Sequence, residues 1–140
     1  MSGGTAYAHG FVGGASFLNG ALHPLLVPAH ALSLLAFGLM TGQQVYRVLL
    51  AILFPATLVA GILMIVSAAF PLEFVPVLLL ACAAAAGLLT ALARPLLAIV
   101  PAAILAIGGL SLIFDSVPSV VSKRDTILAL CATALAATLV

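Results

Sequence analysis

From Val48 to Phe70 the chain runs 23 residues without an ionisable side chain. About 20 such residues let a helix cross the hydrocarbon of a bilayer. That stretch decides the solvent in which the chain folds. Composition agrees, since 66% of the 140 residues are hydrophobic and 5% are charged, against roughly 25% charged in an ordinary soluble domain. Four Lys/Arg, three Asp/Glu and three His cannot surface a water-soluble fold of this size. Lipid must cover most of the outside. A net charge of +1 leaves no basic footprint for nucleic acid and no acidic tail.

Backbone groups in lipid need partners within the protein, and the alternation of barrel strands is absent, so the spans must be helices. The expected fold class is all-α, a polytopic transmembrane helical bundle of about five helices. It forms a single transmembrane domain over residues 1–140. Polar punctuation places the spans at about 21–42, 48–70, 75–93, 95–114 and 126–140. Pro55 should bend the second span, and Pro101 falls early in the fourth. Asp125 reads as the N-cap of the fifth. That last run is about 22 Å long, short of a hydrocarbon core of about 30 Å. It stops without a polar flank, which implies either a truncated C-terminus or a helix tucked against its neighbours. The Gly-rich start lacks the basic region of a signal peptide and reads as a mature or truncated N-terminus. Arg47 and Arg94 fall on one side of the membrane, Lys123 and Arg124 on the other, so the positive-inside count ties.

Three pairs of small residues lie four apart: Gly38 with Gly42, Ala83 with Gly87, and Ala102 with Ala106. Such pairs let helix backbones approach closely, and they also arise by chance in Ala-rich helices. Cys82 and Cys131 sit in apolar runs and read as small buried residues. They make neither a metal motif nor a disulfide framework.

The first span carries the chemistry. It holds His23 and His30, with Asn19 four residues before His23 and so on its face if the helix reaches back that far. On a straight helix the two imidazoles stand roughly 10 Å apart along the axis, too far to share one ion through bonds of about 2 Å. Pro24 and Pro28 argue against a straight helix, because Pro28 cannot bond the Pro24 carbonyl. A broken start brings the imidazoles together and frees carbonyls to line a polar cavity. The plainer reading has His23 capping a helix at the interface and His30 bonding a neighbouring carbonyl. His9 lies in the Gly-rich start and reads first as a solvated residue. Glu73 and Asp115 lie at helix ends and read first as wet loop carboxylates. No phosphate-cradling loop, Ser/His/Asp arrangement or carboxylate pair is present, so the chain is not expected to be an enzyme.

The stretch Phe17-Leu18-Asn19-Gly20-Ala21-Leu22-His23-Pro24-Leu25-Leu26-Val27-Pro28-Ala29-His30 resembles the HupE/UreJ family, small membrane proteins linked to nickel or cobalt uptake. The family pattern there is G-x-x-H-P-x-x-G-x-D-H, and Gly20, His23, Pro24 and His30 match it. Val27 and Ala29 stand where the family has glycine and aspartate. His9 resembles an upstream family histidine, and Pro71-Leu72-Glu73 resembles a Pro and Glu after the second helix. A His-rich family motif that follows a Phe would fall near Phe114, where this chain reads Phe114-Asp115-Ser116-Val117-Pro118. Family members usually show about six helices.

The resemblance implies a multi-pass protein of the inner membrane that moves or binds a transition metal. His23 and His30 would be its ligands, Asn19 a helper, His9 part of the metal path and Asp115 a charged group near the exit. Nickel or cobalt would be the transported ion, and no resident cofactor is implied. The expected partners are the lipid bilayer, the metal ion and either a second copy of the chain or another membrane protein. The missing aspartate points to an alternative, a diverged subunit that no longer transports and binds a protein partner. A third reading is a transporter of an uncharged solute, with His30 as its one titratable group at depth.

Overall fold

The computed structural model describes residues 16–67, 74–94, 96–117 and 123–139. Among them the regular structure is helical throughout, in six helices rather than the five expected. They are α1 (Ser16–Leu26), α2 (Pro28–Gln43), α3 (Arg47–Ser67), α4 (Val75–Leu92), α5 (Ile99–Asp115) and α6 (Lys123–Leu139). The extra element comes from the first apolar run, which breaks at Val27 into two helices bent by 82°.

By length and composition α3 and α4 can each cross a membrane, and the bent α1–α2 pair makes a third span if its two arms are counted together. The helices α5 and α6 have 17 residues each, about 25 Å of rise. Length therefore does not support five spans. The side chains fit a lipid exterior: Leu49, Ile52, Val59 and Leu63 on α3 are each more than half exposed. Several hydroxyls in the helices bond back to their own backbone. Ser33 donates to the Ala29 carbonyl (2.6 Å), Ser111 to Ile107 (2.8 Å) and Thr138 to Ala134 (2.7 Å). Such bonds satisfy a hydroxyl where water is absent.

The helices pack mostly out of chain order. α1 lies against α6, α3 against α5, and α2 against α4, which also packs on α5. The core gathers Phe37 and Met40 from α2, Leu58 from α3, Leu79 and Ala86 from α4, Leu105 and Leu112 from α5, and Leu130 from α6.

Several sequence expectations need correction. Among the described residues, Gly38, Gly42 and Gly87 have open space beside them, so they bring none of the described helices together. The close approaches fall at Gly20, Gly108 and Gly109 instead. A Cβ at Gly20 would overlap the Ala129 backbone of α6, and one at Gly108 would overlap the Phe37 ring. Cys82 is buried, but Cys131 is exposed. Asp125 lies inside the first turn of α6, which begins two residues earlier, so it is not the cap.

Candidate metal site

Two prolines four residues apart permit the break between α1 and α2. Pro28 has no N–H for the Pro24 carbonyl, and its ring disfavours helical backbone at the residue before it. Val27 accordingly sits at φ −89°, ψ 109°. Any L-residue adopts that region, so valine meets no strain there. The chain then restarts cleanly. The Val27 carbonyl accepts from the amides of His30 (3.0 Å) and Ala31 (3.0 Å). Pro28 takes the first helical position, where an N–H has no intrahelical partner anyway.

Each arm of the bend is held by a different partner. On the α1 side, Thr133 of α6 donates its hydroxyl to the Gly20 carbonyl (2.9 Å), and the missing side chain at Gly20 lets the two backbones meet. On the α2 side, Gln43 donates to the Thr90 carbonyl at the end of α4 (3.2 Å). Gln44, buried just past α2, accepts from the Leu96 amide ahead of α5 (3.0 Å).

This geometry places the His23 and His30 rings with centroids 4.8 Å apart and planes at 72°. Metal–imidazole bonds of about 2.0–2.1 Å put two rings that share one ion at about 4.5–5.3 Å, centroid to centroid. The same spacing is that of an edge-to-face ring pair. His30 is 1% exposed, and its Nδ1 is buried without a hydrogen-bond partner among the described residues. Its other nitrogen, Nε2, lies 2.7 Å from Oδ2 of Asp115.

Asp115 is therefore not a loop carboxylate turned to water. It closes α5 and reaches His30 across 85 positions of sequence, with its side chain 26% exposed. It also brings a negative charge close to the two rings. A dication leaving water for a site of two neutral imidazoles lacks charge compensation, and a carboxylate in the place of Asp115 would supply some of it. Its pairing with His30 was hidden in the sequence, because nothing there says that the end of α5 meets the start of α2.

Asn19 lies on α1, four residues before His23. His9 and Glu73 lie outside the described residues. Among the described residues no cluster of three or more His, Cys, Asp or Glu is arranged to hold a metal. The site thus offers two imidazoles, with a carboxylate bonded to the outer nitrogen of one. Nickel and cobalt accept imidazole ligands, and a bare buried Nδ1 fits such an ion.

No curated protein and no solved structure matches the chain. The family model described as HupE / UreJ protein matches residues 1–112, four-fifths of the sequence, and stops three residues short of Asp115. The match takes in both histidines, the proline break and the first four helices, and by it the chain belongs to the HupE/UreJ family.

Proposed function

We propose that this protein binds a nickel or cobalt ion in the elbow of its bent first span and passes it across the cell's inner membrane, which it crosses several times. His23 and His30 are the ligands, with Asn19 as a helper and His9 as part of the metal path. The observation that carries this reading is the 82° break, which sets two histidines seven positions apart at 4.8 Å with a bare buried nitrogen on one of them. Ionisable side chains within a membrane segment are expensive and mark ion pathways. Two protein ligands make a thin site, with water or further groups filling the other positions. That suits passage, because a transported ion must be able to leave.

Calorimetry on the detergent-solubilised protein tests the reading. Saturable binding of nickel or cobalt is expected. The double variant His23→Ala/His30→Ala should lose it while eluting as an intact protein. Equal binding by the double variant removes the site.

The second reading, a non-transporting subunit that binds a protein partner, draws on Ala29 standing where the family carries aspartate. It expects metal-independent capture of a membrane partner and no saturable nickel site.

A further inference from the structure

Nothing in the family pattern says which nitrogen of His30 faces an ion. The geometry answers through Asp115. An ionised carboxylate only accepts hydrogen bonds, so the 2.7 Å contact between Asp115 Oδ2 and His30 Nε2 puts a proton on Nε2. The opposite assignment, a protonated Asp115 donating to Nε2, leaves an N–H at Nδ1. That atom is buried and meets no acceptor among the described residues. A buried N–H without a partner is rare and costly. A bare lone pair at Nδ1 is the cheaper state, and it is the state a metal requires.

We propose that Asp115 is a positioning residue: it holds His30 in the Nε2–H form and so makes Nδ1 the nitrogen that meets the ion. The proposal rests on the metal reading given above. Three observations converge on it. The Nε2 contact is short, Nδ1 is buried and unbonded, and the His23 ring stands 4.8 Å away. A carboxylate bonded to the outer nitrogen of a ligand histidine fixes ring orientation and raises ligand basicity. Here the carboxylate comes from the end of α5, so an ion held on α1 and α2 is electrostatically tied to a third helix. Asp115 also lies beyond the residues that the family model matches.

The test uses the full chain in detergent with ¹⁵N-labelled histidine. In the metal-free protein the His30 ring should show protonated Nε2 and bare Nδ1. Zinc, as a diamagnetic probe, should shift the Nδ1 signal. Asp115→Leu should mix the two tautomers and weaken nickel binding by about 10–100-fold, the usual loss when such a partner is removed. Asp115→Asn keeps an acceptor of the same shape, so it should preserve the Nε2–H form and lose less affinity. This guards against a simple failure of the leucine variant to fold.

If the wild type binds nickel through both histidines but zinc shifts Nε2 of His30, the assignment of Asp115 is overturned and the metal reading stands. The same holds if the tautomer is unchanged in a folded Asp115→Leu protein. If the wild type binds no nickel at all, the metal reading fails and takes this assignment with it.

Discussion

The bent first span and the third helix both carry internal proline, yet one is broken by 82° and the other runs through its proline for 21 residues. Proline alone therefore does not set the outcome. In α3, Pro55 removes one backbone bond, and the residue before it stays helical. At the break, Pro28 stands four residues after Pro24, and Val27 between them leaves the helical region. The surroundings differ as well. The two arms of the bend pack on different helices, α6 and α4, whereas α3 lies along α5 with α6 beside it. The bend is a tertiary feature that proline permits and packing selects, and it is where the imidazoles sit.

The largest way to break this contrast is at Gly20. A side chain there has no room against the α6 backbone. Gly20→Leu should destabilise the protein by about 3 kcal/mol, at the upper end of overpacking costs, read as a fall in melting temperature in detergent. It should also weaken metal binding, because the α1 arm loses its anchor. A variant that melts and binds like the wild type would show that α6 does not hold the bend.

A smaller effect should separate the two proline regions. Pro28→Ala restores an N–H and frees Val27 to become helical, so part of the population can straighten. Imidazoles on a straight helix stand roughly 10 Å apart along the axis, and nickel affinity should fall several-fold. Pro55→Ala should leave binding unchanged and add at most about 1 kcal/mol of stability, the net worth of one hydrogen bond. Equal effects on binding from the two substitutions would erase the comparison.

The same contrast shows how much could be read from sequence. The lipid solvent, the helical class and the place where prolines permit a break all follow from local rules that act within one segment. Val48 to Phe70 and the Pro24–Pro28 spacing are enough for them. The packing partners were not legible. Gly38 and Gly42 carry the textual signature of a helix contact, yet a Cβ there would meet no other helix among the described residues, while Gly20 carries none and meets α6. Small-residue spacing reports that an approach is allowed, not that a neighbour is present. Asp115 escaped for the same reason. Its place at a helix end suggested water, and only the three-dimensional course of α5 reveals His30. The helix count erred where one run became two, because periodicity does not register an 82° turn.

The most direct test of the central claim is X-ray absorption at the nickel edge of the loaded protein. The account predicts imidazole nitrogens at about 2.0–2.1 Å, the usual metal–imidazole distance, two in the wild type and one fewer after either His23→Ala or His30→Ala. A nickel shell without imidazole, or one that neither substitution changes, would contradict it.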